Sequence, residues 1–205
     1  MNIDKIHYIS QAPAGSSHLE AMEKVLQSGG RWIQLRVKDA EEADVLAIAM
    51  EASLLCKAFE AKLIINDSPR VALRCNAYGV HLGLDDMPVK EARAILGTGK
   101  CIGGTANTFE DIIKRAEEKV DYIGLGPYRF TATKKNLSPV LGLDGYIKIM
   151  QQMKEAKIEI PVIAIGGIVL PDIGLIKNTG IYGVALSGLL TFNDFKKDFY
   201  VNYSR

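Results

Sequence analysis

Gln34-Leu35-Arg36-Val37-Lys38 places polar side chains at every second position of an otherwise apolar run. Alternate residues of an extended strand share a face, so Gln34, Arg36 and Lys38 point the same way. Burying a cation without a partner is costly. An anion accepting from all three removes that cost, and arginine with lysine is the pair phosphates favour. An internal layer of salt bridges is the other way to satisfy them.

Carboxylates follow at Asn66-Asp67 and in His81-Leu82-Gly83-Leu84-Asp85-Asp86 ahead of Pro88. Two carboxylates beside a cationic phosphate clamp suit Mg2+, which takes one or two carboxylates plus the substrate's phosphate oxygens. Capping of a helix that starts near Pro88 is the competing role for Asp85 or Asp86. His81 reads as a core or supporting histidine. Further on, Gly103-Gly104-Thr105-Ala106-Asn107-Thr108 permits close backbone approach to a ligand, while Asn107 or Thr108 suits a helix cap equally well. Thr131-Ala132-Thr133-Lys134-Lys135 sits in the long Gly126–Gly142 connection, where hydroxyls and ammonium groups suit an anion-gripping lid that excludes water. Gly166-Gly167 and Leu186-Ser187-Gly188 present neutral backbone donors for a second phosphate. The cationic site fits a diphosphate and the neutral one a monophosphate ester. Two phosphorylated substrates are implied, or one with phosphates at both ends.

These groups need a scaffold that gathers the ends of many strands. Eight short apolar runs supply it: Ile6–Ser10, Trp32–Arg36, Lys62–Asn66, Gly79–Leu82, Cys101–Thr105, Tyr122–Leu125, Val162–Ile165 and Gly183–Leu186. Runs without clear alternation are strands buried on both faces. Helical stripes separate them: Leu19/Met22/Val25, Val45/Ala49/Ala52/Phe59, Val89/Ala92/Leu96, Phe109/Ile112/Ala116/Val120, Tyr146/Ile149/Met153 and a weaker Ile173/Ile176. A short helix follows Ser68, and Phe192, Phe195 and Phe199 form the closing stripe. Strict alternation means parallel strands with right-handed crossovers, and eight units favour a closed (β/α)8 TIM barrel over an open sheet. Every residue singled out above then lies at the C-terminal strand ends, where such barrels carry their chemistry.

The 205 residues suffice for one catalytic barrel domain spanning 1–205. Hydrophobic residues make up 48% and charged residues 24%, an ordinary soluble balance. A net charge of +1 with both signs interleaved gives no support for nucleic-acid or membrane-surface binding. Cys56, Cys75 and Cys101 are far apart in apolar contexts, as reduced thiols would be. Asp4 and Lys5 interrupt any signal-peptide pattern, and the longest uncharged stretch, Asn178–Asn193, is broken by Gly180, Gly183 and Gly188. A cytoplasmic enzyme whose partners are small molecules is expected, with homo-oligomerisation left open.

In order along the chain, QLRVK, INDS, GVHLGLDDMP, GGTANT, GLGPYRFTATKK, AIGGI and LSG resemble the motifs of the thiamine-phosphate synthase family. The resemblance implies a transferase that joins hydroxymethylpyrimidine diphosphate to a thiazole monophosphate, releasing diphosphate. It implies that Gln34, Arg36, Lys38, Asn66, Thr105 and Lys134 hold the pyrimidine diphosphate, with Arg36, Lys38 and Lys134 stabilising the departing charge. It implies Asp67 and Asp86 as Mg2+ ligands, and Thr131, Thr133, Gly167, Leu186 and Ser187 around the thiazole phosphate. Departures from the family pattern stand at Leu84, Thr105 and Asn107. A thiazole tautomerase is the nearest rival; it uses a histidine near the position of Asn107. An isomerase or aldolase barrel would want a central Lys or Glu and no Gln34/Arg36/Lys38 clamp. A non-catalytic sensor of thiamine precursors is the third reading.

Overall fold

The computed structural model describes residues 1–130, 139–195 and 197–203. Eight parallel strands close into a barrel in chain order: β1 (Ile6–Ile9), β2 (Trp32–Leu35), β3 (Lys62–Asn66), β4 (Gly79–Leu82), β5 (Cys101–Ala106), β6 (Tyr122–Leu125), β7 (Val162–Ile165) and β8 (Gly183–Leu186). Closure is the pairing of β8 with β1, through Ile6 opposite Val184 and Tyr8 opposite Leu186. Each strand lies within a residue of its apolar run, and the expected (β/α)8 barrel is the observed fold. The helices are α1 (His18–Gln27), α2 (Glu42–Ala58), α3 (Pro69–Arg74), α4 (Val89–Leu96), α5 (Phe109–Glu117), α6 (Gly142–Glu155), α7 (Asp172–Lys177), α8 (Gly188–Phe192) and α9 (Lys197–Tyr203). Among the described residues, no helix is long and apolar enough to cross a membrane.

Strand alternation sorts the side chains into two cores. Tyr8, Ile33, Leu35, Ile65, Val80, Leu82, Ile102, Ile123 and Leu125 face the helices. Ile9, Trp32, Ile64, Cys101, Tyr122, Ile163 and Ala185 fill the barrel interior. Space for the Tyr122 ring comes from Gly103 on the neighbouring strand: a Cβ there would lie 2.2 Å from the ring. Starts and stops are local. Ser68 caps α3 by accepting from the Val71 N–H, with Pro69 in its first turn. Thr108 and Asp111 form a reciprocal capping box on α5. The closing stripe differs from expectation. Asn193 turns extended (φ −126°, ψ 151°) and its side chain donates to the Leu189 carbonyl, ending α8. Phe192 is left 63% exposed, while Phe195 packs with a tilted ring against Phe199 of the separate α9.

His7 lies in the barrel interior, its ring 4.3 Å from that of Trp32 and edge-on to Tyr122. Its Nε2 donates to the Asp4 carbonyl at 2.8 Å. Burial, reinforced by His81 and Lys62, lowers its pKa to about 3, against the pull of that carbonyl. His7 is therefore neutral when folded and takes up a proton near pH 6.5 when unfolded. Its contribution to stability is complete above pH 6.5 and is lost as pH falls from there toward 3, at about 1.4 kcal/mol per pH unit. His7→Phe should remove this slope. Urea unfolding at pH 7 and pH 5 should show the native protein losing about 2 kcal/mol more than the variant; equal losses would refute the role.

Candidate active site

The site lies at the C-terminal mouth of the barrel. Gln34 follows Trp32 on the interior face of β2, is 5% exposed, and its Nε2 has no hydrogen-bond partner. A buried amide donor left unmade is costly, which makes Gln34 a candidate to donate to a ligand. The strand ends at Leu35, so Arg36 and Lys38 lie just beyond it and strand alternation does not govern Lys38, which is exposed. Arg36 is half-buried, and its N–H donates to Ser10 Oγ at 3.1 Å. Burial lowers the Arg36 pKa while the Asp67 carboxylate supports its charge.

Asn66 ends β3 opposite His81 of β4. Asp67 follows in a left-handed conformation (φ 65°), its N–H held by the His81 carbonyl at 2.9 Å. Such conformations cluster at functional sites, because the surrounding structure must impose them. Asp67 lies beside the carboxyl of Asp86. Burial first, then Asp86, push the Asp67 pKa well above the carboxylate range, with Arg36 and Lys38 opposing. Asp86 does not cap α4, whose N-cap is Pro88 without a side-chain bond. Its Oδ2 instead accepts from the Gly83 N–H at 2.5 Å. Two oxygen donors from adjacent strands, side by side and repelling one another, fit a hard divalent cation. No group of three or more His, Cys, Asp or Glu side chains that would hold a metal occurs among the described residues, so water and phosphate oxygens would complete its shell.

On the next strands Thr105 Oγ1 lies 3.1 Å from His81 Nε2, and His81 Nδ1 lies 3.1 Å from the Tyr122 hydroxyl. His81 thus links the packed interior to the mouth, the supporting place read for it. Asn107 caps nothing with its side chain: Thr108 is the cap, and Asn107 Nδ2 donates to the Gly126 carbonyl, tying the end of β5 to the loop after β6.

The neutral site is built from β7 and β8. Gly166 and Gly167 both take positive φ (100° and 66°), and a Cβ on either would run into Pro127 or Arg129 at under 3 Å. The Arg129 guanidinium donates to the Gly167 carbonyl and, through two nitrogens, to Asp172, fixing this turn. The Leu186 side chain packs into the outer core, so it offers the mouth only its backbone. Ser187 Oγ accepts from Gln11 at 2.7 Å and donates to the Ile9 carbonyl at 2.6 Å, which also turns its contribution toward backbone N–H. Thr131, Thr133 and Lys134 lie outside the described residues. Gln11, Ser10, Arg115, Arg129 and Asp172 were not among the expected residues. Gln11 and Ser10 sit in a loop without periodicity, and the others are polar residues that an apolar-stripe reading passes over.

The chain is similar over most of its length to known proteins of one family. A model of the family described as thiamine monophosphate synthase matches residues 7–190. A thiamine-phosphate synthase of Flavobacterium johnsoniae is 52% identical over 194 residues, covering 95% of this chain and 92% of that protein. One of Bacteroides fragilis is 51% identical over 185 residues, covering 90% and 91%. The solved structure of a thiamine phosphate pyrophosphorylase from Pyrococcus furiosus matches with a TM-score of 0.80 at 26% identity, covering 97% of this chain and 95% of that one. With the family model running from β1 into α8 and relatives this similar over nearly their full length, the chain belongs to the thiamine monophosphate synthase family.

Proposed function

We propose that the barrel mouth joins 4-amino-2-methyl-5-(diphosphooxymethyl)pyrimidine to 4-methyl-5-(2-phosphooxyethyl)thiazole, or its carboxylate, giving thiamine phosphate and diphosphate. The observation that carries this reading is the contact of Asp67 with Asp86 beside Arg36, across the mouth from the separate Gly166-Gly167 and Ser187 turns. The first is a place for a diphosphate with a cation, the second for a monophosphate. The thiazole nitrogen bonds the pyrimidine methylene carbon, and the carbon–oxygen bond breaks with its electron pair kept by diphosphate. Mg2+ held by Asp67 and Asp86 would neutralise charge on the diphosphate oxygens. The protein's own groups do the rest. Arg36, Lys38 and Lys134 meet the growing negative charge, Gln34 and Asn66 orient the pyrimidine portion, and Thr105, steadied by His81, closes that side. Thr131, Thr133 and the backbone at Gly167, Leu186 and Ser187 hold the thiazole phosphate so that its nitrogen stays near the carbon. Little acid–base chemistry is needed, because aminopyrimidine delocalises charge at its methylene as the leaving group departs.

The substrates are free metabolites, and cytoplasm is the compartment that fits them and the thiols. Burial pushes Cys56 and Cys101 up to about 12, so both stay inert. The test is to mix purified protein with both substrates and Mg2+, with an EDTA control. Thiamine phosphate and diphosphate should form together and stop with EDTA. Binding of both substrates without product would favour the tautomerase or sensor reading.

A further inference from the structure

Arg115 is the one arginine among the described residues that lies nearly wholly inside the protein, at 3% exposure. It sits on α5 beside the buried Ile112, where an apolar side chain would satisfy the helix. Instead its guanidinium spans two strand ends. Nε donates to the Thr105 carbonyl at 3.0 Å and Nη2 to the Gly83 carbonyl at 2.7 Å, while Nη1 pairs with Glu118 at 2.8 Å. The neighbouring strand is shaped to admit it: a Cβ on Gly104 would lie 2.8 Å from Arg115 Cδ and Nε. Burying a guanidinium needs its donors placed and its charge offset; here each of the three nitrogens has a partner and Glu118 offsets the charge.

The bonds go to the backbone of two residues that face the mouth. The N–H of Gly83 holds Asp86 Oδ2 at 2.5 Å, and its carbonyl is held by Arg115. Gly83 too is confined, since a Cβ there would sit 2.8 Å from Asp86 Oδ2. Thr105 has its carbonyl on Arg115 and its hydroxyl on His81. We infer that Arg115 is a positioning residue for the divalent-cation site, setting the Gly83 backbone that aims Asp86 and locking it in register with Thr105. This rests on the reading that Asp67 and Asp86 hold the cation.

The test uses Mn2+ as a spectroscopic stand-in for Mg2+, titrated by electron paramagnetic resonance with inorganic diphosphate present and no turnover. Arg115→Leu should weaken Mn2+ binding by about 10-fold or more, the usual scale for groups that orient metal ligands. The half-saturating Mg2+ for turnover should rise in parallel, with the KM for thiazole phosphate unchanged. Gly104→Ala should shift Mn2+ binding in the same direction with the arginine still present, because its methyl group displaces the guanidinium. If Arg115→Leu fails to fold, Arg115→Lys, whose single nitrogen cannot reach both carbonyls in the same geometry, carries the test. Asp67→Asn serves as the reference. If it leaves Mn2+ binding intact, the cation-site reading fails, whatever Arg115 does. If it abolishes binding while the Arg115 variants lose only melting temperature, Arg115 is a structural residue and the inference is overturned.

Discussion

Asp67→Asn should lower kcat by about 100- to 1000-fold at saturating substrates and Mg2+, the scale of losing one preorganised electrostatic contact. Asparagine is the informative replacement. Asp67 holds a left-handed backbone at φ 65°, and asparagine tolerates that region better than most residues. The turn between β3 and α3 should survive, with the His81 carbonyl still accepting the residue-67 N–H. What is lost is a negative charge. Without the cation, that charge is a liability, because burial and the Asp86 carboxyl raise the Asp67 pKa. The variant should therefore melt no lower than the native protein when both are stripped of metal, and should lose the added stability that Mg2+ with diphosphate gives the native protein. Activity that falls while metal-free stability holds is the signature of a functional group kept at a structural cost. Near-normal turnover would remove Asp67 from the metal site.

The barrel was legible because its strands are short and apolar, and because eight of them alternate with helical stripes. Packing explains why that reading reached so far. Trp32, Ile64, Tyr122 and Ile163 fill the interior while Ile33, Ile65 and Ile123 face the helices, so both faces of each strand had to be apolar. The candidate residues stood out in the sequence where a polar side chain interrupts or ends an apolar run, as at Gln34 within β2 and Asp67 just past β3. They stood out less where a residue acts through backbone. Gln11 fixes Ser187, Arg129 fixes Gly167, and Arg115 fixes Gly83 and Thr105. Those bonds join residues far apart in the chain, and no local spacing encodes them. The terminal phenylalanine stripe misled for the opposite reason. Its spacing suits one helix, but the Asn193 side chain satisfies a helix-end carbonyl and lets the chain leave.

Arg36→Met should lower kcat/KM for the pyrimidine diphosphate by about 100- to 1000-fold, with the KM for thiazole phosphate unchanged. The split is the point of the experiment. Arg36 stands beside Asp67 just past the end of β2, and its link toward Ser187 runs through its backbone N–H on Ser10, next to Gln11, which replacing the side chain leaves in place. Methionine keeps much of the aliphatic stem, so packing against the mouth is largely retained and the loss reports the guanidinium. That group has two duties. It meets the diphosphate with a planar, permanently charged fork, and it offsets the carboxyl pair, since Arg36 opposes the rise in the Asp67 pKa. Arg36→Lys restores the second duty more fully than the first, because an ammonium is a point charge that cannot make the same paired bonds to phosphate. The lysine variant should thus recover metal dependence close to native while its kcat/KM for the diphosphate stays low. Equal defects in both variants would mean that shape at this position matters more than charge. Near-normal turnover of Arg36→Met would show that the diphosphate is held elsewhere, and would leave Gln34, whose amide nitrogen has no partner of its own, as the next residue to replace.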